Sequence, residues 1–159
     1  DGAIVTGGSS VGERDHTPAA IAALGQPGVI VHGLRVKPGK PTVLAALGTQ
    51  PVIGLPGNPA SALVILEAVL SPIVAAMVGA VAPNRMVAAR LAAPVSSRAG
   101  WTWYLPVRLE HERGSSMAHP VALRSSSVSL TAKADGFIVM PETAETWDAG
   151  MNVTVTLFL

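Results

Sequence analysis

Three short stretches of this sequence carry residues whose types and spacing suit anion chemistry. The first is Gly7-Gly8-Ser9-Ser10-Val11-Gly12, followed at once by Glu13-Arg14-Asp15. Glycines let a backbone approach a ligand closely, and a helix start favours negative charge. The carboxylates beside this loop would repel a phosphate unless a divalent cation bridged them. Mg²⁺ does this through one or two carboxylates and phosphate oxygens. The spacing is not that of a dinucleotide-binding loop, and no Gly-Lys-Ser/Thr follows to make a P-loop. A glycine-rich turn without ligand, with Asp15 complementing a helix dipole, explains the same residues.

The second stretch is Lys37-Pro38-Gly39-Lys40-Pro41. It puts two ammonium groups three residues apart on a turn stiffened by proline, which lowers the entropy lost on ordering. Two fixed cations favour a dianion. A solvated basic turn is the commoner fate of lysine, but of the chain's lysines only Lys133 lies elsewhere. The third stretch, Gly54-Leu55-Pro56-Gly57-Asn58-Pro59-Ala60-Ser61, is a strand–loop–helix junction. It offers backbone N–H groups at a helix start together with the Asn58 and Ser61 side chains, although a well-capped helix needs the same residues. Two anion-suited junctions, a dilysine turn and an acidic pair make a stronger signal together than any one alone.

The elements that must position these stretches follow from the apolar pattern. Residues 3–6 read as a buried strand, closed by Gly7-Gly8. Thr17-Pro18 predicts a helix N-cap and first turn, and Gly25 its end. Residues 29–36 predict a second strand, and 43–47 and 51–54 a strand pair around Gly48-Thr49-Gln50. Asn58 caps a helix that starts at Pro59 and runs to about residue 70, and a second helix runs from Pro72 to near Gly79. This order is α/β, with helices covering a sheet. Beyond residue 80 the helical period disappears. Short strands are expected at 85–92, 101–110, 120–123, 137–140 and 153–158, punctuated by Gly100, Gly114, Gly136 and Gly150. That pattern suits a small barrel or sandwich. The expected division is therefore 1–80 and 81–159, with the boundary near Val81. Trp101, Trp103, Leu105, Val107 and Leu109 fall on one strand face, which places the tryptophans in a barrel core and not on a stacking platform.

Composition narrows the function classes. The chain has 159 residues, 11 Lys+Arg against 10 Asp+Glu, 13% charged residues and 49% hydrophobic residues. So balanced a charge excludes nucleic-acid binding by bulk electrostatics, and the apolar content excludes disorder. With no cysteine and four scattered histidines, neither disulfides nor a thiolate or histidine metal site is expected. The mean hydropathy of +0.45 raises the question of a membrane span. The longest apolar run, 60–78, contains Glu67 and Ser71-Pro72, so two short buried helices are expected instead. The opening Asp1-Gly2 before an apolar strand reads as the middle of a protein.

The three stretches together, in this order, resemble the molybdopterin molybdenumtransferase family, the MoeA family that also includes the gephyrin E-domain. The second and third blocks distinguish it from MogA-type molybdopterin adenylyltransferases and CinA-type proteins, which share only a Gly-Gly loop ending in Asp. Ala134-Asp135-Gly136-Phe137-Ile138-Val139-Met140-Pro141 resembles part of the family's C-terminal barrel. The resemblance covers the whole chain and implies the C-terminal part of a molybdopterin-binding α/β domain plus a small C-terminal β-barrel.

The family inserts molybdenum into molybdopterin, taking adenylated molybdopterin and molybdate and releasing AMP with a divalent cation, Mg²⁺. Carried over residue by residue, Gly7, Gly8, Ser10 and Gly12 would hold the pterin phosphate or nucleotide end. Asp15 would lie at the metal and pyrophosphate. Lys37 and Lys40, with Pro41 beside them, would face the oxyanion. Pro56, Gly57, Asn58, Pro59 and Ser61 would form the pocket turn, and Ser125 would be the barrel's contribution. The sequence departs from the family in two places: Trp101 follows Gly100 where many members carry a charged residue, and Arg124-Ser125-Ser126 stands where many have Gly-Ser-His or Ser-Ser-Arg. The resemblance further implies a cytoplasmic homodimer, supplied with substrate by a molybdopterin adenylyltransferase and binding neither nucleic acid nor membrane. Because family members carry a further N-terminal half with other acidic site residues, the chain alone is expected to be inactive. Without that half its sheet edge is expected to be covered by a second copy. The other classes weighed are a non-catalytic molybdopterin- or nucleotide-binding or scaffold module and a MogA-type adenylyltransferase, against which the dilysine turn and the barrel argue.

Overall fold

The first apolar run forms strand β1 (Ala3–Thr6) in the computed structural model, which describes residues 1–7, 16–81, 84–112, 114–121 and 133–158. Helix α1 (Thr17–Leu24) follows, with Gly25 at its end. His16, not Thr17, occupies the N-cap position, and its side chain makes no capping bond. Thr17 Oγ1 instead donates to the carbonyl of Gly7 at 3.1 Å, tying the helix start back to the end of β1. The expected strand 29–36 is two strands, β2 (Pro27–His32) and β3 (Val36–Lys37). Gly33 between them has φ +89°, a conformation that an extended strand cannot contain. Strands β4 (Val43–Leu47) and β5 (Gln50–Leu55) flank the expected turn.

These strands build a sheet in the order β1-β5-β4-β2. β5 runs parallel to β1 and antiparallel to β4, and β2 runs antiparallel to β4. Side chains alternate between the two faces. Val52, with Val43 and Ala45, packs against Ile21 of α1. Ile53 and Leu55 face the other way, against Ile65 and Leu70. Each of the buried Val, Leu and Ile side chains among them contributes about 1.5–3 kcal/mol. The sheet is thus covered on both faces, as α/β architecture requires. β1 and β2 are its edges, and β1, expected as a buried strand, is exposed along its length, Ile4 and Val5 included.

Ile65 and Leu70 belong to a single long helix, not to the two that were expected. It comprises α2 (Pro59–Ile65), a π-helical turn (Leu66–Leu70) and α3 (Ser71–Met77). Pro72 brings no N–H and would crowd the carbonyl four residues back. A π turn relieves both problems by widening the backbone just before it. By length and composition this helix is long and apolar enough to cross a membrane. It nevertheless carries the buried Glu67, bridged to Arg85 at 3.2 Å.

The rest of the chain is β-structure: β6 (Met86–Leu91), β7 (Val95–Ser96), β8 (Thr102–Glu112), β9 (Ser115–Pro120), β10 (Gly136–Met140), β11 (Thr146–Trp147) and β12 (Asn152–Leu157). Strands β10-β12-β6-β9-β8 pair in that order, and β10 also pairs with β8, which closes a five-stranded barrel. Its interior is apolar, centred on Leu91, Val107, Ala118, Ile138, Met140 and Val155. Of the strand expected at 120–123, Pro120 ends β9 and residues 122–123 lie outside the described residues; β9 itself starts at Ser115, where the turn at Gly114 (φ +84°) folds the chain back onto β8. β7 and β11 pair with each other and are too short to leave a periodic signal. The expected α/β part and small barrel are both present.

One strand crosses between them. β3 pairs in parallel with β8, Val36 opposite Thr102 and Lys37 opposite Trp103. The Thr102 N–H donates to the Arg35 carbonyl at 3.0 Å.

Candidate functional site

The parallel pairing of β1 and β5 brings their C-terminal ends to one edge of the sheet. The Gly7 N–H donates to the Leu55 carbonyl at 3.2 Å. A Cβ on Gly57 would lie 3.5 Å from the Gly7 Cα, so the loops after the two strands begin side by side. β4, antiparallel to β5, begins at the same edge, and the 37–41 turn leads into it. The dilysine turn, the 54–61 junction and Gly7, where the first segment begins, converge here, beyond the carboxyl ends of the parallel strands, where α/β proteins place ligands.

The dilysine turn is firmly held. Gly39 is buried at φ +114° against the long helix. Its carbonyl accepts from the Thr42 N–H at 3.1 Å and from the buried Thr42 hydroxyl at 2.7 Å. The Leu34 N–H donates to the Lys40 carbonyl at 2.9 Å. On the neighbouring junction, Asn58 caps the helix as expected. Its Oδ1 accepts from the Ser61 N–H at 3.2 Å and from Ser61 Oγ at 3.4 Å. That bond orients the Ser61 hydroxyl, and Pro56 lies buried beneath the loop.

Between this turn and the barrel lies a cavity of about 420 Å³. The α/β part lines it with Lys37, Lys40, Pro41 and Ser61, and the barrel with Ser97, Arg98 and Trp101. Lys37 Nζ sits 4.8 Å from the centre of the Trp103 ring, and Lys40 Nζ 5.9 Å from that of Trp101. The tryptophans therefore do not simply fill the core. Trp103 packs against the barrel interior with one part of its ring and meets an ammonium with its face. Trp101 lines the cavity. Among the described residues no carboxylate pairs with Lys37, Lys40 or Arg98. Three cations facing one hollow, with no carboxylate paired to them among the described residues, make a local field that favours a multiply charged anion.

Lys37, Lys40, Pro41 and Ser61 thus come together in one cavity. Gly7, Pro56, Gly57, Asn58 and Pro59 stand at the adjoining sheet edge. Gly8, Ser10, Gly12, Asp15 and Ser125 lie outside the described residues. Among the described residues no group of three or more His, Asp or Glu side chains converges to hold a metal. Sequence reasoning missed Arg98 and Ser97. Their one signal was a basic residue just before the Gly100 turn. A second cleft, of about 290 Å³, lies between the long helix and the barrel and is lined in part by Glu67, Arg85 and Tyr104. Tyr104 stacks edge-on to Phe137, with ring centres 5.5 Å apart, and burial pushes its phenol pKa up.

Comparison with known proteins agrees with this architecture. Residues 1–76 match the family described as a probable molybdopterin binding domain, and residues 88–158 match the MoeA C-terminal region (domain IV). The molybdopterin molybdenumtransferase of Bacillus subtilis is 32% identical over 156 residues, covering 97% of this chain and 36% of that protein. A putative molybdopterin biosynthesis protein of Methanocaldococcus jannaschii is 31% identical over 158 residues, 99% of this chain and 36% of its own length. The crystal structure of a molybdopterin biosynthesis MoeA protein from Pyrococcus horikoshii superposes with a TM-score of 0.81 at 36% identity, covering 98% of this chain and 37% of that one. The chain therefore spans little more than a third of the length of the relatives it matches. With both of its parts matched, in the order in which the sheet and the barrel follow one another, the chain fits a fragment of a MoeA-family protein.

Proposed function

We propose that this chain serves molybdenum cofactor biosynthesis as part of a molybdopterin molybdenumtransferase, with the cavity between the dilysine turn and the barrel as its oxyanion site. The observation that carries this reading is the convergence of Lys37, Lys40 and Arg98 on one hollow with no carboxylate partner among the described residues. Molybdate is a tetrahedral dianion, and two ammonium groups on a rigid turn bind it with little entropic loss. In the proposed reaction, molybdate exchanges one oxo group for the two dithiolene sulfurs of adenylated molybdopterin, that oxygen leaving as water with the two thiol protons, and a water molecule cleaves the phosphoanhydride bond to release AMP. Charge then develops on the departing phosphate oxygens, where preorganised cations are most effective.

The backbone from Gly7 to Gly12, with Ser10, and the Pro56-Gly57-Asn58-Pro59 junction with Ser61 would hold the phosphate and pterin end of the substrate. Ser125 would add a hydroxyl from the barrel. Asp15 would hold the Mg²⁺ ion, which would neutralise pyrophosphate charge when bound. The working form in this reading is a cytoplasmic homodimer that receives its substrate from a molybdopterin adenylyltransferase.

The test uses the parent protein that carries this chain, with Lys37→Ala and Lys40→Ala. Molybdate-dependent AMP release is expected to fall by about 10²-fold or more in each variant while the fold is retained, since each change removes one preorganised cation. Near-normal release in both variants overturns the oxyanion assignment. A wild-type parent that binds molybdopterin without releasing AMP marks a binding or scaffold module. ATP-dependent adenylation of molybdopterin by the wild type marks an adenylyltransferase.

A further inference from the structure

Lys37 and Lys40 differ from ordinary surface lysines in what lies beside them. Each ammonium sits over an indole face supplied by the barrel, at 4.8 Å for Trp103 and 5.9 Å for Trp101. The arrangement is built into the backbone, because Lys37 stands directly opposite Trp103 in the β3–β8 pairing. The next outward position on that barrel segment, Trp101, reaches the cavity that Lys40 lines. The Trp103 Nε1–H is buried and has no hydrogen-bond partner among the described residues. A buried donor without a partner destabilises a fold, so the packing here satisfies the face of the ring at the expense of its edge.

The physical consequence concerns charge. A lysine held by a carboxylate has its charge neutralised by its partner. A lysine held over an indole is equally restrained but keeps its full positive charge, because the ring is neutral. The two tryptophans therefore restrain two long, flexible side chains without cancelling either charge.

We propose that Trp101 and Trp103 are positioning residues that hold the Lys40 and Lys37 ammonium groups convergent, and that this convergence makes the site select doubly charged over singly charged tetrahedral oxyanions. The inference rests on the oxyanion reading of the cavity and deepens it. A dianion held by two fixed ammonium groups loses more from their release than a monoanion does, because each Coulomb term scales with the anion's charge. Loss of an indole face therefore lowers the ratio of dianion to monoanion affinity, whereas a general loss of folded protein lowers both affinities together.

The experiment titrates the parent protein that carries this chain with tungstate and with perrhenate, isostructural oxyanions of charge −2 and −1, by calorimetry. The parent is compared with Trp101→Leu, Trp103→Leu, Trp101→Phe, Trp103→Phe and Lys37→Gln. Wild type is expected to prefer tungstate. Each leucine variant is expected to lose about three- to tenfold of that preference, the size of one cation–π contact, and each phenylalanine variant to recover most of it because a π face remains. Thermal unfolding confirms that the variants compared are folded. If Trp103→Leu, which removes a ring packed against the barrel core, does not fold, Trp101→Leu and the two phenylalanine variants decide the matter. An unchanged tungstate-to-perrhenate ratio in the leucine variants, while Lys37→Gln weakens tungstate, overturns the tryptophan role and leaves the oxyanion site standing. Tungstate binding insensitive to Lys37→Gln overturns both.

Discussion

A Cβ built on Gly39 would lie 2.5 Å from Cδ1 of Ile65 and 2.7 Å from its Cγ1. The dilysine turn is thus pressed against the long helix, at a residue whose φ of +114° side chains rarely adopt. Gly39→Ala is expected to lower stability by about 2–4 kcal/mol, combining left-handed strain with overpacking. Ile65→Val removes Cδ1 and by itself costs about 0.5–1.5 kcal/mol. In the double variant the alanine gains room, so the combined loss should fall short of the sum by about 0.5 kcal/mol or more. Urea denaturation of the three variants checks this, and strict additivity would show that the turn does not bear on Ile65.

The Glu67–Arg85 bridge joins the helix to the start of the barrel, with side-chain exposures of 4% and 25%. A carboxylate so buried depends on its cation. Arg85→Met is expected to destabilise the fold by about 2–4 kcal/mol, whereas adding Glu67→Gln to it restores part of that loss by removing a buried charge that has lost its cation. A thermodynamic cycle measured by chemical denaturation reads the coupling. A coupling near zero would place the bridge among surface pairs that contribute nothing measurable.

Tyr104 is the chain's one tyrosine, so the tyrosinate absorbance titrates it alone. Burial raises its pKa above the ordinary value of 10.0. The folded state then holds the proton more tightly than the unfolded chain. This contribution to stability is complete below about pH 10 and is lost as pH rises through the raised folded value. Stability should therefore decline more steeply above about pH 10 in the wild type than in Tyr104→Phe. Identical alkaline profiles for the two proteins would contradict the assignment.

Much of this was legible in the residues themselves. Asn58-Pro59 announced a capped helix, and the cap is there, because its determinants are local. Gly25, Gly48 and Gly114 marked true chain reversals for the same reason. Pro72 misled, since a proline in an apolar run reads as a break unless a π turn accommodates it, and nothing local signals that turn. β3 was hidden because its partner strand lies more than sixty residues away, and the apolar run before it looked continuous across Gly33. The two lysines were legible from their spacing as a cationic turn, and both line one cavity. Their indole partners were not, because stripe periodicity says that a tryptophan is covered and not by what. Arg98 and the Glu67–Arg85 bridge join elements distant in sequence, and only the fold brings them together.

The short pairing of β3 with β8 bears on how this protein can be recombined with its relatives. The family boundary falls after residue 76, which invites exchange of the barrel, 88–158, as a cassette. Two residues of the sheet half, Val36 and Lys37, are nonetheless hydrogen-bonded into the barrel. A graft cut at the boundary would leave the donor's barrel facing the host's lysines, with no guarantee of a ring beneath either of them. The heritable unit of this cavity is therefore discontinuous: residues 36–41 and the segment 101–103 that carries both tryptophans have to travel together.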